Sequence, residues 1–270
     1  MSIPAFADCP RVMSLNVCTD QLAMLIAAPG QLVSVSDLAA EPGLSYHHAM
    51  AARFNTNRGL AEEVFLARPD VVVTGTFSLH NTTALLKHLG FKVEEFDFSQ
   101  SLATIPGEIR RMGRILGHPE KSEAMAAAFD AGLAAAKAPA CGTAPTIIAY
   151  GQNGVAVGAD TLAHSVMEAA GFRNLAAELG YSGMTPFPLE LLVTSRPDAI
   201  ILSKPLAGAP ALADQITQHP AVQSLSSRRI FLPEAAWTCG GPFTLEAVKT
   251  LRLLRDEIAP CTNQTGTAVP

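Results

Sequence analysis

The chain has 270 residues, a formal net charge of −5, and is 49% hydrophobic and 16% charged. That length accommodates one large domain or two of ordinary size, each with a substantial core. The acidic balance argues against a broad nucleic-acid surface, which needs a basic face to neutralise phosphates. No apolar run reaches the about 18 residues needed to cross a bilayer as a helix.

The chain opens with Ala5-Phe6-Ala7, the small-residue pattern that precedes a signal-peptidase cut, although no charged or long apolar segment stands before it. The expectation is an exported protein whose mature part begins near Asp8. The five cysteines are Cys9, Cys18, Cys141, Cys239 and Cys261, an odd number with no CxxC or metal-type spacing. In an exported chain some of them pair and one is left over, and the sequence does not assign partners.

Arg11 to Asn16 reads as a short buried strand. Thr19 or Asp20 then supplies helix-start chemistry for an apolar helix through Ala28, which Pro29-Gly30 stops. Leu32 to Val35 is a second strand. Residues 37–58 form a long irregular stretch holding Tyr46-His47-His48, Arg53 and Arg58, and loops of this length in a compact domain are usually functional. A short helix over Ala61–Leu66 ends at Pro69, and Val71-Val72-Val73 is an all-apolar strand of the kind buried in parallel sheets. Asn81–Leu89 is helical, and Lys92–Phe96 is another strand. This alternation predicts a parallel α/β lobe.

A helix runs from Thr104 to Leu116, interrupted at Gly117-His118-Pro119. A second, alanine-rich helix follows to Lys137; about 19 residues at 1.5 Å each give a stiff rod of roughly 28 Å. The second half restarts with a strand over Thr146–Tyr150, a turn at Gly151–Gly154 and a short strand at Val155–Gly158. Thr161 opens a helix that ends at Gly171, and Gly180–Pro188 is a loop. Ala199–Leu202 and Ile230–Leu232 are strands, Ala236–Gly241 is a loop, and Pro242 starts a terminal helix to Ile258. The polar residues after Pro260 read as a loose tail.

One stretch recurs. Glu62-Glu63-Val64-Phe65-Leu66-Ala67-Arg68-Pro69-Asp70 and its β-branched run return 128 residues later as Glu190-Leu191-Leu192-Val193-Thr194-Ser195-Arg196-Pro197-Asp198 with Ala199-Ile200-Ile201. A repeat at nearly half the chain length predicts two similar halves rather than a solenoid.

The order of these parts is specific. Arg11-Val12-x-Ser14-Leu15 is followed by the Glu…Arg-Pro-Asp unit and the stiff helix. Gly158-Ala159-Asp160-Thr161-Leu162, Ala170-Gly171-Phe172-Arg173-Asn174-Leu175-Ala176 and the second Glu…Arg-Pro-Asp unit come after it. Over residues 11 to about 259 the chain resembles the periplasmic substrate-binding proteins of ABC importers for iron–siderophore, haem and cobalamin complexes. The resemblance implies two parallel-sheet α/β lobes joined by a single long α-helix, with a ligand cleft between the lobes. Its expected division is an N-terminal lobe over 8–103, a helical segment over 104–142 with the rigid helix at about 119–137, a C-terminal lobe over 143–260 and a tail at 261–270.

It also implies a Glu on each lobe that docks onto arginines of the membrane permease dimer, which works with its ATPase subunits. By position in the repeat these are Glu62 and Glu190, each seven residues before its Pro. Glu63 is the adjacent fallback. The implied cargo is a metal chelate, an iron–siderophore foremost, with cobalamin or haem as the others. No covalent cofactor, no catalytic residue, no nucleic acid and a monomeric chain are expected.

Ligands of open α/β sheets bind beyond the carboxyl ends of the strands. That selects Asn16 and Cys18 after the first strand, Tyr46 and His47 with Arg53 in the long loop, and Thr76 and Phe77 after the repeat strand. In the second half it selects Tyr150 and Gln152, Phe187, and Trp237, the only tryptophan. Aromatic rings suit broad, partly apolar chelates, and arginine suits anionic ones. Arg196 is assigned instead to the helix–strand turn. Cys18 and Cys239 both fall on expected cleft loops, where a disulfide between them is one open pairing.

The alternatives are a free-ion binder of the zinc or manganese importer type, using His47 or His48 with His80 and a carboxylate, a related domain serving a sensor, and an enzyme on a two-lobe fold. GxxxxGK[ST], GxGxxG, GxSxG and HExxH patterns are absent, and Gly180-Tyr181-Ser182-Gly183 fails the nucleophile-elbow pattern.

Overall fold

The computed structural model describes residues 9–77, 79–97, 101–139, 142–202 and 215–260. Ala5-Phe6-Ala7, Cys141, Cys261 and the tail lie outside them. The chain divides into two units. The first holds Met1–Ser99, Ala103–Asp130 and Cys239–Pro242; the second holds Gln100–Leu102, Ala131–Thr238 and Phe243–Pro270.

The first unit is built on β1 (Val12–Ser14), β2 (Leu32–Ser36), β3 (Thr56–Asn57), β4 (Val71–Gly75) and β5 (Val93–Phe96), in the order β3-β2-β1-β4-β5. Every pairing in it is parallel. The central strands β1 and β4 are buried along their apolar residues, as strands covered on both faces require. Its helices are α1 (Val17–Ile26), α2 (His48–Ala51), α3 (Ala61–Ala67), α4 (His80–His88) and α5 (Ile105–Leu116). Met13 and Val72 from the sheet, with Leu15 just past β1, pack with Val64 of α3 and Leu86 of α4.

Helix α6 (Pro119–Ala136) follows, and the division between the units falls within it, after Asp130. Gly113 of α5 fits closely against α6: a Cβ there would lie 1.9 Å from Ser122 Oγ. Gly117, in the left-handed region at φ 75°, ends α5 just before Pro119 restarts the helix.

The second unit holds β6 (Thr146–Tyr150), β7 (Val155–Val157), β8 (Arg173–Asn174), β9 (Met184–Pro186), β10 (Ala199–Leu202) and β11 (Arg228–Ile230), with helices α7 (Leu162–Ala169), α8 (Leu175–Glu178), α9 (Leu189–Ser195), α10 (Pro220–Gln223) and α11 (Thr244–Ile258). Its order is β11-β10-β6-β7-β9, with β8 also on β6. Here β10 runs parallel to β6 and β11, whereas β7 is antiparallel to both β6 and β9. The stretch 180–188, expected as a loop, therefore contains a strand. Its pairing partner is β7, and three residues with Pro186 among them carry no alternation to reveal it.

Three other expectations shift. Residues 37–58 contain a 3₁₀ turn at Asp37–Ala40, α2 and edge strand β3. α1 begins at Val17 and is capped by Asn16, whose extended backbone lets its side chain accept from Cys18 N, so Thr19 and Asp20 lie inside the first turn. β11 ends at Ile230, and α11 starts at Thr244.

The repeat is a repeat in three dimensions. α3 and α9 are each seven residues long. Each is closed by an arginine in the left-handed region, Arg68 at φ 45° and Arg196 at φ 47°. The following proline disfavours continuation of the helix, and each arginine N–H still reaches the carbonyl four residues back, on Val64 or Leu192. Asp70 then accepts from Arg11 N at 2.7 Å, and Asp198 from Thr146 N at 2.7 Å. Arg11 immediately precedes β1 and Thr146 opens β6, so each aspartate pins the neighbouring strand in register.

Candidate functional site

In the first unit the carboxyl ends of β1, β2, β3 and β4 present their connections along one edge of the sheet. Asn16 is half-buried between its role as cap and the end of β4, where a Cβ on Gly75 would lie 3.2 Å from Asn16 Nδ2. Asn16 and Cys18 are thus brought beside Thr76 and Phe77. Thr76 is half-buried with its N–H on Phe96 O, whereas Phe77 is 74% exposed. Gln21, one turn into α1, accepts from Tyr46 N at 2.8 Å and holds that segment against the helix start. Tyr46 is 40% exposed and stands edge-on to the His47 ring, with centroids 5.3 Å apart. Burial pushes the His47 pKa down and favours the neutral imidazole.

The edge rests on a buried polar web. Asn57 Nδ2 donates to Ser14 O, Ser34 Oγ and Val35 O, tying β1, β2 and β3. Asp20 is fully buried and accepts from Ser36 N and Ser36 Oγ at the end of β2. Burial pushes its carboxyl up to about 7 against the lowering effect of the Ser14 and Ser36 hydrogen bonds. Nothing in the sequence except its helix-start position marked this residue.

Arg53 is not brought to this edge: it lies between α2 and the start of β3, whereas Arg58 leaves the end of β3. Both are exposed. His48 Nδ1 donates to Ser45 O, and His80 is exposed at the start of α4. Among the described residues no group of three or more His, Cys, Asp or Glu is placed to hold a metal ion.

In the second unit Gln152 follows β6 in a 3₁₀ turn and is half-buried beside exposed Asn153. Tyr150 and Phe187 belong to the core with Ile148, Leu192 and Ile200, at 1% and 3% exposure. Trp237 is buried as well. Aromatic type alone does not separate core from face, and packing holds these rings inward. One further aromatic stands at this edge, Phe231. The sequence places it inside the strand, but β11 ends one residue earlier and leaves Phe231 at the carboxyl edge, 49% exposed.

Glu62 and Glu190 each occupy the second position of their helix, α3 or α9, and both are exposed. Glu63 is used locally: its carboxylate reaches back to accept from Leu60 N and Arg58 N. Cys18 and Cys239 form a disulfide within the first unit, and Cys9 is a free thiol.

Solved structures that share this fold include three periplasmic binding proteins. The periplasmic heme-binding protein RhuT from Roseiflexus sp. RS-1, in apo form, superposes with a TM-score of 0.77 at 20% identity, over 93% of this chain and 100% of that one. The periplasmic vitamin B12 binding protein BtuF of Vibrio cholerae gives 0.72 at 17% identity, over 92% and 98%. A periplasmic heme binding protein from Pseudomonas aeruginosa gives 0.71 at 19%, over 97% and 95%. A comparison with curated proteins finds no match. The family described as periplasmic binding protein matches residues 12–228, well over half of the chain. The chain belongs to the periplasmic binding protein family.

Proposed function

We propose that this protein captures a metal chelate outside the cytoplasm and delivers it to an ABC importer, without covalent chemistry of its own. The observation that carries the reading is the set of exposed aromatic rings at the carboxyl edges, Tyr46 and Phe77 in the first unit and Phe231 in the second. A free, strongly hydrated ion has no use for such rings, whereas the broad apolar face of a chelate or macrocycle buries against them. Asn16, Thr76 and Gln152 supply polar contacts, and neutral His47 beside Tyr46 offers a nitrogen or oxygen donor to a chelated metal with an open position. The fold neighbours that bind heme and vitamin B12 support this class of cargo. An iron–siderophore belongs to the same class.

Glu62 and Glu190 are the docking carboxylates in this reading. One on each unit, they pair with permease arginines and set orientation more than affinity. The alternative, a free zinc or manganese binder, is disfavoured by the scattered placement of His47, His48 and His80.

The test is a titration of Trp237 fluorescence with haemin, cyanocobalamin and a ferric hydroxamate siderophore, with zinc and manganese chlorides as separate arms. Saturable binding of one chelate at micromolar Kd or below is expected, with Phe77→Ala and Phe231→Ala weakening it about tenfold each. Saturable binding of a bare ion and of no chelate overturns the reading.

A further inference from the structure

Cys239–Pro242 belong to the first unit, while Trp237-Thr238 before them and Phe243 with α11 after them belong to the second. The chain enters the first unit for these four residues and leaves it again. They join no helix or strand there. Cys239, buried, is bonded to Cys18, 221 residues away in sequence and second in α1. That first turn of α1 is the one that carries Asn16 and abuts the Gly75–Phe77 connection.

We propose that the Cys18–Cys239 bridge is a thiol-operated latch. Intact, it fastens the 239–242 segment to α1 and keeps neighbouring Trp237 buried. Opened, it releases the segment, and the face around Asn16 loses order. The agent required is a dithiol reductant, either a small dithiol or an oxidoreductase of the CxxC type. Its thiolate attacks the sulfur of Cys18, the half-buried residue of the pair, and buried Cys239 leaves as thiolate. The second thiol of the reductant then closes its own disulfide and releases Cys18. Two electrons and two protons pass from the reductant to the bridge, giving two protein thiols. Immobilised side chains bind more tightly than mobile ones because their ordering has already been met, so the latch tunes affinity without touching ligand.

Trp237 is the only tryptophan, which makes it a clean reporter. The full chain is compared oxidised, reduced with dithiothreitol and as Cys18→Ser, with Cys9→Ser as the control that leaves the bridge intact. Mass analysis establishes the redox state of each sample. The latch predicts a red shift of Trp237 emission, stronger acrylamide quenching and faster hydrogen exchange over 237–243 on reduction, with exchange over β1 and β4 unchanged. Unchanged emission and exchange in fully reduced protein overturn it. Loss of protection throughout both sheets overturns it too, because the bridge is then a global brace.

A further arm rests on the chelate reading: haemin and cyanocobalamin titrations of both forms, with about tenfold weaker binding after reduction. If neither probe binds even the oxidised chain, that reading suffers while emission and exchange still decide the latch. If a probe binds both forms equally, the latch does not govern affinity and the proposal fails.

Discussion

The two copies of the helix–Arg-Pro-Asp–strand unit share a backbone and differ in nearly everything around it. The first sits in a wholly parallel sheet, the second beside the antiparallel pairs β6–β7 and β7–β9. Val64 and Leu192 are fully buried in their separate cores. Glu63 fastens the entry to α3, while its counterpart Leu191 packs partly buried against the second core. What both copies keep falls into two groups. Arg68 with Asp70, and Arg196 with Asp198, are accounted for by chain reversal and strand register. Glu62 and Glu190 are not: their exposed carboxylates make no hydrogen bond or ion pair among the described residues. Two exposed carboxylates at the same place in both copies, without local structural use, are what the proposed docking role would draw on.

The largest effect expected from breaking this equivalence is on transport. Glu62→Ala with Glu190→Ala should lower uptake by about a hundredfold or more, each single change accounting for about tenfold, while affinity measured by Trp237 titration stays unchanged. A comparable loss of affinity in the purified double variant would refute the docking assignment.

An intermediate effect separates the units by pH. Four residues after the cap of its helix the first unit has Asp20, whereas α7, capped by Thr161, has Ser165 in that place. The folded pKa of Asp20, about 7, lies above its unfolded value of 3.8, so the folded state holds the proton in that interval. Stability from this group is complete below about pH 4 and is lost as pH rises through 7. Asp20→Asn should flatten that decline and raise the unfolding free energy at neutral pH by on the order of 1–4 kcal/mol. Urea titrations at pH 5 and pH 7.5 measure it; identical pH slopes for both proteins would contradict the burial argument.

The smallest effect tests how alike the two turns are. Arg68→Gly and Arg196→Gly each replace a side-chain residue in the left-handed region, so each should stabilise its unit by about 0.5–1 kcal/mol. Opposite signs in thermal unfolding would show that one arginine holds its turn by a contact of its side chain.

The repeat was legible because proline, aspartate and a buried apolar run each act on the backbone within a few residues. The parallel strands β4, β6 and β10 were legible for the same reason. Strands β3, β8 and β9 were not. Two or three residues carry no period, and side-chain anchors hold two of them: Asn57 to β1 and β2, and Asn174 to Val157 O. On the candidate faces, the connections after β1 and β4 were found from strand polarity alone. Strand polarity also points to Trp237, Tyr150 and Phe187, but it does not tell which side chains pack inward, and all three are buried. Phe231 was hidden by a strand boundary, where one residue decides which side of the pleat a ring takes.

The outermost strands carry one more consequence. β3 has only two residues, β9 ends in Pro186, β11 leads with Arg228 and Arg229, and β5 has Glu94 and Glu95 at its middle. Unpaired sheet margins invite strand addition from a neighbouring molecule, and shortness, proline and charge are the usual deterrents. Among the described residues each of these four margins has one. The chain is thereby guarded against zipping onto its own copies, and Glu94→Val with Glu95→Val is where that guard is thinnest.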